Sequence, residues 1–70
     1  MDNTFQISLA AARVNAEMTQ EEVAEKLGVS KQSVVNWEKG RTKLSIATFK
    51  TLCNMYKIPE DKIFLPISST

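Results

Sequence analysis

From Thr19 to Arg41 the chain reads TQEEVAEKLGVSKQSVVNWEKGR. Thr19 followed three residues later by Glu22 is a capping box, in which the hydroxyl accepts from the Glu22 backbone and the carboxylate reaches back. Val23, Ala24 and Leu27 then recur at helical spacing, and Gly28 stops the helix where a positive φ is easiest. Ser30 opens a second short helix, roughly Lys31 to Lys39, which Gly40 closes. Its inward stripe is Val34 and Trp37, with Val29 just ahead. Ala24 stands where the two helices cross and only a small side chain fits. Two helices joined by a tight glycine-containing turn make a helix-turn-helix, here from Gln20 to about Glu38. Each of these positions is a packing requirement, so the pattern states architecture before it states a ligand.

Upstream, Asn3 to Glu17 predicts another helix, with Phe5, Leu9, Ala12 and Ala16 along one face. Asn3 and Gln6 have the form of a capping box, and Thr4 is the alternative cap. Downstream, Ser45 starts a helix whose Ile46, Phe49, Leu52, Cys53 and Tyr56 recur at i, i+3 and i+4 spacing. Lys57 sits where a helix-closing glycine would be comfortable, at a cost on the order of 1 kcal/mol in the left-handed conformation. Pro59 predicts a last helical turn through Phe64, with Glu60 and Asp61 capping it. Leu65-Pro66 breaks that turn, and Ser68 to Thr70 is expected to fray. No segment alternates with period two for long enough to be a strand. The expectation is an all-α fold, a compact bundle of four to five short helices. It forms a single domain over residues 1–70, with its core at about 5–64 and a tail at 65–70.

Composition narrows the class. The 70 residues are 43% hydrophobic and 24% charged, with two Gly, two Pro and a net charge of +1, which suits a small globular domain better than a disordered chain. One Cys and no His exclude an internal disulfide framework and disfavour a zinc site, so no metal or cofactor is expected. Cys53, on an inward stripe, reads as a small hydrophobe. No run approaches the roughly 18 apolar residues of a membrane span, and Met1–Thr4 has no basic signal-peptide start, which predicts a cytoplasmic protein without membrane contact. No histidine, no glycine-rich phosphate loop and little chain for a pocket argue against an enzyme and against a small-molecule ligand. Trp37 and Tyr56 read as core rather than as base-stacking groups.

With Val34 and Trp37 inward, the outward positions of the 31–39 helix are Lys31, Gln32, Ser33, Val35, Asn36 and Lys39. Gln and Asn can pair bidentately with adenine, Ser serves several bases, Lys31 reaches guanine or a phosphate, and Val35 suits a thymine methyl. The bland alternative is a solvated polar face with one tolerated valine. From Lys31 through Lys57 there are six basic residues against the single acid Glu38, whereas Glu17, Glu21, Glu22 and Glu25 crowd the preceding stretch. A charge run is often only a solvated face, but a basic face opposite an acidic one suits a phosphate backbone. Gln20 stands at a helix start, where side chain and free N–H groups can grip a phosphate. Arg41, Thr42 and Lys43 follow in a loop placed to lie along the backbone, and Lys39 belongs with them.

The segment MTQEEVAEKLGVSKQSVVNWEKGRTKLS, Met18 to Ser45, followed by SIATFKTLCNMYKIPEDKIF, resembles the Cro/phage-repressor (Xre-like) helix-turn-helix family, over about Phe5 to Phe64. The resemblance implies a lambda-repressor-like bundle of five helices whose third enters the major groove of double-stranded DNA. It implies that Gln20 holds a phosphate. It also implies that Arg13 in the first helix pairs with Glu38, a structural ion pair that fastens the recognition helix to its scaffold. The function expected is a transcriptional regulator, a repressor of prophage, restriction-modification or stress-response type. Two alternatives stand beside it: an antitoxin with an added toxin-binding surface, and a protein-binding module of the same fold without DNA affinity. A homodimer on a two-fold site is expected, joined through Ile63, Phe64, Leu65 and Ile67, since one module reads few base pairs.

Overall fold

Each α-helix among the described residues begins at a hydroxyl and is closed by a left-handed residue. The computed structural model describes residues 6–65. Within them lie β1 (Ile7–Ser8), α1 (Leu9–Asn15), α2 (Gln20–Leu27), α3 (Lys31–Lys39), α4 (Ile46–Tyr56), a 3-10 turn (Glu60–Lys62) and β2 (Ile63–Phe64). Ser8, Thr19, Ser30 and Ser45 cap the four α-helices, each accepting from the backbone N–H three residues on. Those bonds satisfy donors that the first helical turn otherwise leaves orphaned.

The helix ends share one motif. The N–H groups of Met18, Val29, Arg41 and Ile58 reach back to the carbonyls of Arg13, Ala24, Asn36 and Cys53, at 3.2, 3.0, 2.9 and 3.1 Å. This closure needs a residue with positive φ just past the helix. Gly28 (71°) and Gly40 (73°) supply it freely, while Glu17 (61°) and Lys57 (58°) adopt it as side-chain-bearing residues, at a cost of about 1–2 kcal/mol each. Lys57 was expected there; Glu17 was not.

Leu9 and Ala12 of α1, Val23 and Ala24 of α2, Val34 of α3, Leu52, Cys53 and Tyr56 of α4, and Ile63 of β2 form the buried core. Leu27, Trp37, Leu44 and Phe49 pack against it while remaining partly open. The bundle is therefore the small all-α helix-turn-helix fold that the sequence predicts, with α2 and α3 packed more extensively on each other than any other pair of elements.

Four expectations need correction. The first helix starts at Leu9, not Asn3, because Ser8 caps it through a 3.0 Å bond from Ala11 N–H and Ile7–Ser8 is extended. That extended pair runs parallel to Ile63–Phe64, Ile7 opposite Ile63 and Ser8 opposite Phe64. So the turn after Pro59 lasts only three residues, and a two-stranded ladder stands where no strand was expected. The ladder joins the two ends of the described chain, and Gln6 Nε2 adds a 3.1 Å bond to the Asp61 carbonyl. Third, Ile46 is 72% exposed: at the first position of α4 it precedes the turn in which the apolar stripe meets the core. Val29 also lies on the surface, at 36% exposed, on the rim of an apolar groove with Leu27, Trp37, Ala47, Thr48 and Thr51. Fourth, no side chain caps the 3-10 turn; Glu60 instead pairs with Lys50 at 3.4 Å. The expectations for Asn3, Thr4, Phe5, Pro66, Ile67 and Ser68 to Thr70 fall outside the described residues.

Candidate nucleic-acid interface

The helix-turn-helix is built from local bonds. Thr19 Oγ1 accepts from Glu22 N–H at 3.0 Å, and Glu22 Oε1 accepts from Thr19 N–H at 2.8 Å. Ser30 Oγ accepts from Ser33 N–H at 3.1 Å. Between these caps, Ala24 (5% exposed) and Val34 (1%) are buried, which lets α2 and α3 approach closely. The result is a rigid mount that carries α3 with its polar residues on the opposite side from Val34.

Glu38 ties that mount to α1. Its carboxylate accepts from Arg13 Nε at 2.7 Å, from Arg13 Nη2 at 3.4 Å and from Gln20 Nε2 at 2.9 Å. Arg13 Nη1 also donates to the Met18 carbonyl at 2.9 Å. The two charged side chains retain only 14% and 6% exposure. The hydrogen bond that Arg13 donates to Glu38, opposed by burial, raises the already high pKa of Arg13, so the guanidinium stays charged. The carboxylate at the end of α3 thus joins α1 and the start of α2, and the Arg13 guanidinium ties in the turn after α1. Tyr56 is buried below, and burial followed by the negative charge of Glu38 pushes its phenol up to about 12. Its hydroxyl has no hydrogen-bond partner among the described residues.

The residues expected to face bases lie on one helix, in different states. Gln32 is exposed and Asn36 partly so, and Gln32 Nε2 donates to Asn36 Oδ1 at 3.0 Å. Ser33 is half-buried, its hydroxyl 3.1 Å from that of Ser30. Val35 is half-buried rather than exposed, yet it is not among the apolar residues that pack on the core. Lys31 is exposed and pairs with Glu21 across the turn at 3.1 Å. Glu21 is held below the usual carboxylate range, first by its own backbone N–H in the opening turn of α2 and then by Lys31.

The residues expected along the phosphate backbone divide similarly. Lys39, Arg41, Thr42 and Lys43 are exposed. Among the described residues, none of these three cations has a carboxylate within 4 Å. Gln20 stands at the start of α2 but is half-buried, with one of its amide N–H groups already engaged by Glu38. Ser30 was read from sequence as a helix cap and Glu21 as one of an acidic stretch, but not as side chains engaging Ser33 and Lys31. Helical i, i+4 spacing could have suggested the Gln32–Asn36 bond, whereas no local spacing signals the Lys31–Glu21 pair, which spans two helices.

Among the described residues no helix is long and apolar enough to cross a membrane. No curated protein and no solved structure matches the chain. A family model described as helix-turn-helix matches residues 9–63, from the first residue of α1 to the first of β2. That span takes in both helices of the motif, the Arg13–Glu38 brace and the polar face of α3, and with it the chain belongs to the Cro-type, Xre-like helix-turn-helix family of DNA-binding transcription regulators.

Proposed function

We propose that this regulator is a sequence-specific repressor that reads the major groove with α3 and works as a homodimer on a two-fold related site. The supporting observation is the polar strip along α3, exposed or half-buried, and the exposed loop after it. Amide and hydroxyl side chains capable of base recognition are followed there by three cations, Lys39, Arg41 and Lys43, with no carboxylate of the described residues within 4 Å. In this reading Lys31, Gln32, Ser33, Val35 and Asn36 meet base edges. Gln20, Lys39, Arg41, Thr42 and Lys43 set the register on the phosphates. Arg13 and Glu38 touch no DNA and hold α3 at its angle. Repression is the mode that needs nothing beyond occupancy, since a bound domain blocks the DNA beneath it. The action is non-catalytic and cytoplasmic, on double-stranded DNA.

Dimerisation is argued from size and surface. A single module of this kind covers about 600–1,000 Å² and reads few base pairs, so selective occupancy calls for two copies with recognition helices about 34 Å apart. The surface available lies at the β1–β2 end. Ile63 is used in the core, but Phe64 beside it is 56% exposed, a large apolar group for a monomer to present.

Selection of bound sequences from a random DNA pool, followed by gel shifts at several salt concentrations, tests the proposal. A recovered site with two inverted half-sites, bound by two protomers, is the expected result. Recovery of no preferred sequence would remove sequence specificity. One protomer at saturation on an asymmetric site would remove the dimer.

A further inference from the structure

We infer that Gln32 and Asn36 act as one reading unit, in which Asn36 holds the Gln32 amide in place for an adenine. The inference rests on the DNA reading above and specifies what its central residues recognise. A glutamine on an open helix face has three side-chain torsions to restrict before it can make a paired contact, and that restriction normally subtracts from affinity and discrimination. Here the restriction is partly in place before DNA arrives, through the 3.0 Å bond from Gln32 Nε2 to Asn36 Oδ1 across one helical turn.

The inventory of donors and acceptors determines the pattern. Gln32 begins with one carbonyl oxygen and two N–H groups. One N–H is committed to Asn36, so Oε1 and the second N–H remain, the acceptor–donor set that complements N6 and N7 of adenine. Asn36 has one of its two carbonyl lone pairs occupied and keeps the other together with its two N–H groups. The unit therefore specifies adenine at the base pair that Gln32 meets, with Asn36 as the support that orients the reading amide.

The other residues on the strip are committed elsewhere. Lys31 pairs with Glu21 and Ser33 lies against Ser30. Neither gives Gln32 an alternative partner among the described residues, where Asn36 is the one side chain bonded to it.

The test uses the full chain, with sites first selected from a random pool. Gln32→Ala locates the base pair that Gln32 reads, as the position whose preference it flattens, expected to fall by about 5- to 150-fold. Asn36→Ala is then measured at that same position, where an adenine preference reduced by about 2- to 10-fold, the range one net hydrogen bond supports, is expected although Asn36 does not touch that base. The double variant should lose less than the product of the two single losses. Both side chains lie on the open face, and thermal melts of each variant check that the fold is kept. Retained sequence preference with fully multiplicative losses at separate positions would overturn the pairing while leaving the DNA reading intact. Absence of binding to any DNA at low salt would overturn both.

Discussion

Replacing Glu38 by alanine strikes the point where α1, α2 and α3 are tied together. It removes the acceptor for Arg13 Nε at 2.7 Å, for Arg13 Nη2 at 3.4 Å and for Gln20 Nε2 at 2.9 Å. What remains is a guanidinium 14% exposed, still bonded to the Met18 carbonyl but without its counter-charge. Breaking a fully buried pair costs about 3–5 kcal/mol. The surviving carbonyl bond and residual exposure place this case near the lower end, at about 3 kcal/mol. A domain of this length has a total stability of about 4–10 kcal/mol, so the variant gives up about a third of it or more. Each kcal/mol moves the melting temperature of so small a domain by about 4–8 °C, and a fall of about 12–24 °C is expected. Circular dichroism melts measure it, with urea titration at 25 °C as a second determination. The pair also predicts a sign for the double change. Arg13→Met with Glu38→Leu removes both charges together and should be less destabilised than Glu38→Ala, because no lone charge is left inside. An unchanged melting temperature in Glu38→Ala, accompanied by lost DNA binding, would refute the structural role and move the carboxylate to the DNA surface.

Three further outcomes follow from the same geometry. Lys43→Ala should weaken binding to selected and random DNA alike and reduce the slope of log K against log salt by about one, as gel shifts across salt concentrations would show; a loss confined to the selected site would assign Lys43 to a base. Glu21→Gln should release Lys31 and remove a carboxylate beside the start of α2, tightening binding on every sequence and steepening its salt dependence; unchanged affinity would mean that Lys31 does not approach the DNA. For Tyr56 the folded phenol is pushed up to about 12 from 10.0, so the protonated form is favoured in the folded state. The associated stability is complete below pH 10 and is lost as pH rises from 10 toward 12, to the extent of about 3 kcal/mol. Tyr56→Phe, which removes a hydroxyl without a partner among the described residues, should be no less stable than the parent below pH 10 and should gain on it above. Urea titrations of both proteins from pH 8 to pH 12 check this, and a constant difference across the range would contradict the assignment.

Much of the site was legible because its signals are local. Thr19 with Glu22, Ser30, and the closing Gly28 and Gly40 act over three to five residues, so letters and spacing are enough to find them. The identity of the outward residues on α3 followed once Val34 was placed inward. Their commitments did not follow. Gln20 looked like a free phosphate ligand, but one of its N–H groups is bonded to Glu38, 18 residues away. Lys31 looked like a free cation until the fold of the turn brought Glu21 to it.

The ends of the chain show the same division. By itself the sequence determined where α2, α3 and α4 start and stop, and that Lys57 stands at a position where a closing glycine would be comfortable, because capping and helix closure are short-range bonds. Only the tertiary structure decided that α1 begins at Leu9, capped by Ser8, rather than at Asn3 and that Ile63–Phe64 is extended rather than helical. The backbone groups of Ile7–Ser8 find partners in Ile63–Phe64, near the other end of the chain, and no residue pattern within either segment records that pairing. A helix cap is a contract between neighbours, whereas a two-residue strand exists only when its distant partner is already in place.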